Sequence, residues 1–121
     1  MIELHLMGIP SMNSASDDPW YKRMKERKKW FTKVRLALGK SRPERPHSVA
    51  RVSIVRASAG PEPDFDNLVQ GGKWILDALV FYRVIEDDKP ANFEGGAPKY
   101  TWQKAPRGNA EVVVKVEGVD E

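Results

Sequence analysis

The chain is expected to form a single α/β domain spanning residues 1–121, layered in the α+β manner. Its element order is β-α-β-α-β-β, with one mixed sheet and two helices covering a face. Three observations predict this. Four segments alternate apolar and polar residues with the period of a strand. Two segments between them carry apolar residues at helical spacing. At 121 residues the chain is long enough to close one hydrophobic core, and it holds no internal repeat or low-complexity stretch.

Ile2, Leu4 and Leu6 alternate with Glu3 and His5, which predicts a first strand over residues 2–7. Pro10, Ser11, Asn13, Ser14 and Ser16 read as a loop. Asp17 or Asp18 can cap the helix that follows, with Pro19 at its first position. Trp20, Met24, Phe31, Val34 and Leu38 then form one apolar stripe expected to be buried, while Lys22, Lys25, Lys29 and Lys33 lie on the other side. Gly39 ends this helix, and Pro43 and Pro46 keep the next stretch extended.

A second strand runs from Ala50 to about Arg56, since Ala50, Val52 and Ile54 alternate with Arg51 and Ser53. The turn Ala59-Gly60-Pro61-Glu62-Pro63 delivers the chain to Asp64. From there to about Arg83 the pattern is helical, interrupted only by Gly71-Gly72. Tyr100 and Trp102 mark a third strand. Ala110, Val112, Val114 and Val116 mark a fourth, the clearest of the set.

Composition narrows the chemistry. Hydrophobic residues make up 40% and charged residues 31%, a globular balance, and no apolar run approaches the roughly 18 residues of a membrane span. The first six residues lack the basic start and apolar stretch of a signal peptide, so a cytoplasmic location is expected. Absence of cysteine excludes disulfide scaffolds, thiolate zinc sites and cysteine nucleophiles. His5 and His47 are isolated and give no spacing for a histidine metal site or a Ser-His-Asp relay. Any reaction falls to carboxylates, lysine and a hard metal.

Charge is distributed unevenly. Residues 21–46 hold 11 basic residues against Glu26 and Glu44, a local +9. Residues 62–94 hold eight acidic residues against Lys73, Arg83 and Lys89, a local −5. The first segment suits a polyanion and the second a cation that works on it; a self-neutralising surface is the alternative.

Within the acidic segment, a helical projection puts Leu68, Gly72, Ile75, Leu76 and Leu79 on the core side. Asp66, Gln70, Lys73 and Asp77 fall on the opposite stripe, either a solvated ladder or the floor of a site. Asp64 and Asp66 stand two apart at the helix entrance, where an extended backbone points both carboxylates the same way. Asp87-Asp88 arrives after the helix and can fold back toward them. Hard divalent cations take carboxylate oxygens from separated chain positions. Each acid also has a structural explanation: Asp64 as N-cap, Asp66 and Asn67 in the first turn, Asp77 paired with Lys73, Asp87 and Asp88 as turn residues.

At these residues the chain resembles the RusA family of Holliday-junction endonucleases, common in phages and prophages. The resemblance rests on Asp64-Phe65-Asp66-Asn67-Leu68, then Lys73-Trp74-Ile75-Leu76-Asp77-Ala78-Leu79, then Asp87-Asp88 after seven intervening residues. It covers about a quarter of the chain closely, with a looser echo in Pro10-Ser11-Met12-Asn13 and the basic helix after it. The resemblance implies that Asp64, Asp66 and Asp88 ligate Mg²⁺, with Mn²⁺ as a substitute, and that Lys73 takes the essential lysine position. Asn67, Asp77 and Asp87 would support them. It further implies a homodimer, bacterial or phage-encoded, acting on four-way junction DNA. Lys22, Lys25, Lys29 and Lys33 would grip the junction arms through phosphates.

Val69-Gln70-Gly71-Gly72 is longer than the single residue at that point in the best-known form of the family. Three extra residues approach one helical turn, so Lys73 either keeps its face while moving about 4–5 Å along the axis or the two glycines loop out. The residues leave three functions open: a Mg²⁺-dependent junction endonuclease, a non-catalytic DNA-binding protein of the same fold, or an interaction domain whose acids merely cap and solubilise a helix. Of the four tryptophans, Trp20 and Trp102 are expected to be buried, and Trp74 to contact DNA or a dimer partner.

Overall fold

A computed structural model describes residues 1–10 and 20–119. The loop after Pro10 and the Asp17 or Asp18 cap with Pro19 lie outside the described residues. The described elements follow the expected order: β1 (Ile2–Met7), α1 (Trp20–Leu38), β2 (Ala50–Ser58), α2 (Phe65–Phe81), β3 (Lys99–Lys104) and β4 (Glu111–Gly118). Two single turns of 3-10 helix, Pro90–Asn92 and Glu94–Gly96, precede β3.

The four strands make one mixed sheet in the order β1-β4-β2-β3. β4 pairs antiparallel with both β1 and β2, while β2 and β3 run parallel. Registers such as Leu4↔Val114 and Val114↔Ile54 put the alternating apolar residues on one face. Both helices cover that face and touch each other, α1 lying over β1 and α2 over β3. The opposite face carries Glu3, His5, Arg51 and Lys115. There His5 Nε2 meets Glu3 Oε2 at 2.8 Å, and Lys115 Nζ lies 3.8 Å from Glu3. β3 closes one edge, with exposed Lys99 and Lys104 at its two ends.

α1 differs from its expected burial. Trp30, Phe31, Val34 and Leu38 enter the core, but Trp20 and Met24 are exposed. Periodicity places all of these except Trp30 near one side of the helix. The core, however, supports only the second half of α1, so residues 20–25 are all exposed. Trp30 is the fully buried tryptophan, and its Nε1 donates to Glu26 at 3.1 Å. Gly39 ends the helix with φ +52°, the left-handed backbone that glycine adopts without penalty.

α2 runs unbroken through Gly71 and Gly72, so the two glycines do not loop out. Gly72 is required by packing: a β-carbon there would stand 2.8 Å from Tyr100 Cε1 and 3.2 Å from Ile54 Cδ1. Ile75, Leu76, Ala78 and Leu79 bury along the same side, whereas Leu68 is only half-buried. The far end closes with Arg83 N–H on the Val80 carbonyl at 3.1 Å and Val84 N–H on the Leu79 carbonyl at 2.9 Å. Arg83 takes φ 63° at a position that glycine usually holds, a strain of about 1–2 kcal/mol. The reversal drives Val84 and Ile85 into the core, where the His47 N–H donates to the Val84 carbonyl at 3.0 Å and the His47 carbonyl accepts from the Glu86 N–H at 2.9 Å.

Candidate functional site

The chain enters α2 through Asp64, whose extended backbone (φ −70°, ψ 166°) makes it the N-cap. Its Oδ1 accepts the Asn67 backbone N–H at 2.9 Å. The helix begins at Phe65, so Asp66 sits exposed in the first turn. The shared extended backbone expected for Asp64 and Asp66 therefore ends at Asp64, because capping turns the chain helical one residue later. Asn67 reaches the sheet: its Oδ1 accepts from Arg56 Nη1 at 2.9 Å. A continuous chain of contacts thus links Arg56 on β2, Asn67 and Asp64.

Arg56 is half-buried, and its Nε is buried without a hydrogen-bond partner. Burial pulls its pKa below the ordinary arginine value, though the guanidinium stays charged at neutral pH. A cation thereby stands beneath the acidic entrance of α2. Sequence reasoning missed Arg56, although parity could have found it: position 56 continues the inward series 50, 52, 54.

Along the outer stripe of α2, Asp66, Gln70 and Lys73 are exposed and Asp77 is half-buried. Lys73 Nζ lies 3.6 Å from Asp77 Oδ1, one turn on. Trp74, beside Lys73, is half-buried against the core.

Asp87 and Asp88 follow the reversal at Arg83. The Asp88 backbone N–H donates to Asp87 Oδ1 at 2.8 Å, and Lys89 Nζ stands 3.6 Å from Asp87 Oδ2. That backbone hydrogen bond, with Lys89 adding to it, holds the Asp87 carboxyl below its ordinary value. Asp88 faces Tyr100. Burial raises the pKa of the Tyr100 hydroxyl, and the charge of Asp88 raises it further. The Tyr100 ring packs on Gly72 and meets Phe65 edge-on at 6.1 Å, both in the N-terminal half of α2. Nothing in the sequence pointed to Tyr100 as the bridge between these segments.

The structural explanations hold for Asp64 as cap, Asp77 as partner of Lys73 and Asp87 as a turn residue. Among the described residues, no three His, Asp or Glu side chains stand close enough to hold a metal ion. The donor chemistry still suits a hard cation, which takes carboxylate oxygens. Mg²⁺ commonly uses only one or two protein carboxylates, completing its shell with water and substrate phosphate. A cavity of about 900 Å³ lies beyond the C-terminal end of α2, opposite the Asp64 cap, lined by residues 43–48 with Arg83 and Glu86. The acidic entrance is open surface.

Of the four lysines read as phosphate contacts, Lys22, Lys25 and Lys29 are exposed on α1. Lys33 instead is half-buried: it donates to the Met7 carbonyl and lies 4.3 Å above the Trp30 ring. Burial first, and then Lys29, lowers its pKa. Trp102 is half-buried, its Nε1 donating to Ser58 Oγ at 2.9 Å. No helix among the described residues is long and apolar enough to cross a membrane. No protein-family model matches the chain, and no curated protein is significantly similar to it.

Proposed function

We propose that the chain is a Mg²⁺-dependent, structure-selective endodeoxyribonuclease of the RusA type, resolving Holliday junctions by paired phosphodiester hydrolysis. One observation carries the reading beyond the motif. The Tyr100 ring rests on Phe65 and Gly72 while its hydroxyl feels the charge of Asp88, which supports a return of the third acidic element toward the half of α2 that holds Asp64 and Asp66. An unbroken α2 also keeps Lys73 on the stripe of Asp66.

On this reading the ion, Mg²⁺ or its substitute Mn²⁺, would take one or two of the carboxylates of Asp64, Asp66 and Asp88 directly and the rest through water. Bound there, it would polarise a phosphoryl oxygen and ease ionisation of the attacking water. Lys73 sets a positive charge beside the oxygens that gain charge during displacement, and Asp77 restrains its side chain. Arg56 fixes the helix entrance through Asn67. Lys22, Lys25 and Lys29 contact phosphates of the junction arms without reading sequence. The chain would act as a cytoplasmic homodimer, bacterial or phage-encoded, with two sites on opposing strands.

The test is cleavage of an end-labelled four-way junction and a matched linear duplex, each with Mg²⁺ or EDTA. Paired symmetric nicks in the junction alone, abolished by EDTA, are the expected outcome. Asp66→Asn is expected to abolish nicking while junction binding persists. Junction binding without nicking in any divalent metal would identify a non-catalytic binder instead. Neither binding nor nicking would sink both readings.

A further inference from the structure

The first six residues of α1 are all exposed, so at about 1.5 Å per residue the helix projects roughly 9 Å past the part that the core holds. This overhang carries Trp20, Tyr21 and Met24, which are 70%, 58% and 50% exposed. The two rings meet edge to face with centroids 6.3 Å apart. Lys22, Arg23 and Lys25 are interleaved with them, and residues 20–25 contain no acid. Glu26, the sole acid of α1, accepts from Trp30 Nε1. We propose that the overhang is a stacking platform for unpaired nucleotides, with Trp20 and Tyr21 receiving bases and Lys22, Arg23 and Lys25 the adjoining phosphates.

The physical case has three parts. Large aromatic surface left in water is unfavourable, and a base offers a flat π-face that covers it whatever its identity. Lys25 and Lys29 stand one turn apart with like charge, a repulsion that a phosphate backbone relieves. Aromatic rings and cations alternating over one short stretch match the repeat of a single strand, in which bases and phosphates also alternate.

Other occupants fit less well. An interfacial membrane helix lays its whole apolar side into lipid, but the apolar side of α1 continues into Phe31, Val34 and Leu38, which the domain already buries. A second copy meeting the same overhang would set cation against cation. The proposal rests on the reading of this protein as one that acts on DNA, and deepens it by naming unpaired DNA as what this surface receives.

Fluorescence anisotropy with a short labelled oligothymidylate and a blunt duplex of equal length tests it. The double variant Trp20→Ala/Tyr21→Ala is expected to weaken oligothymidylate binding about ten- to hundredfold, with duplex affinity and melting temperature unchanged. Lys22→Ala/Lys25→Ala is expected to weaken both DNAs alike and to flatten the salt dependence. Equal losses on both DNAs in the aromatic variant, or no loss on oligothymidylate, would overturn the proposal. Cosedimentation with phosphatidylserine vesicles that the aromatic substitutions abolish, DNA affinity being unchanged, would overturn it too. Junction cleavage is read on the same preparations. A wild type that never nicks yet prefers oligothymidylate through Trp20 and Tyr21 keeps the platform and loses the nuclease. One that nicks while its aromatic variant binds oligothymidylate equally well does the reverse.

Discussion

The two helices lie side by side on one sheet face, yet they are held in opposite ways. α2 is capped by Asp64, pressed to Tyr100 at Gly72, buried through Ile75, Leu76, Ala78 and Leu79, and closed by the reversal at Arg83. α1 is anchored only from Trp30 onward and leaves its first six residues in solvent. The contrast extends to charge: α2 presents Asp66, Lys73 and Asp77 from a fixed axis, whereas α1 presents eight basic residues against Glu26. A helix gripped along its length can hold side chains at a set spacing, as chemistry demands. A helix gripped at one end supplies reach and charge.

Core truncation should separate the two most sharply. Ile75→Ala, at a fully buried position of α2, is expected to cost about 2–5 kcal/mol, whereas Met24→Ala on the α1 overhang should stay within about 0.5 kcal/mol. Urea denaturation of both variants reads the difference, and equal losses would mean that the overhang is packed after all. Gly72→Ala tests the closest approach of α2 to the sheet. Its β-carbon would press on Tyr100 and Ile54, so a loss of about 1–3 kcal/mol is expected.

Asp64 separates capping from catalysis. Asp64→Ala should cost about 0.5–2 kcal/mol, while Asp64→Asn, an equally good cap, should leave stability near wild type. Both should abolish Mg²⁺-dependent nicking if Asp64 is a ligand. Nicking retained by Asp64→Asn would leave Asp64 a cap and nothing more.

The smallest effect belongs to the uncovered sheet face. The hydrogen bond that the His5 ring donates to the Glu3 carboxylate raises the pKa of His5, with Glu111 assisting. Folding therefore favours the imidazolium. That contribution is complete below the ordinary histidine value and is lost as pH rises through the raised one. An NMR titration should place His5 above an unperturbed histidine, and Glu3→Gln should bring it back down. A titration that Glu3→Gln does not move would show that the pair contributes nothing.

The strands were legible because alternation was strong: Val112, Val114 and Val116 could face only one way. Both helices were legible in extent, and α2 in its buried side as well. What periodicity lacked was axial reach. It gives the angle of a residue around the helix, not whether a core lies beneath that turn, so Trp20 and Met24 were misassigned. Trp30 was hidden among Lys28, Lys29 and Lys33, because its burial depends on where α1 crosses β1. The acids at the α2 entrance were visible from spacing. Their relation to Arg56 and Tyr100 comes from strands 8 and more residues away and required the tertiary fold.

The lysines at the two ends of β3 have a consequence for self-association. Edge strands invite a neighbouring chain to extend the sheet, and charge is a common guard against it. If two copies paired antiparallel across a twofold axis centred on β3, Lys99 of each would lie beside Lys104 of the other. Like charges would then oppose each other at both ends of the new ladder, without a compensating acid in β3 itself. The protein is thereby guarded against pairing β3 with β3, and any symmetric dimer is directed to the β1 edge, the helices, the loops or the uncovered sheet face.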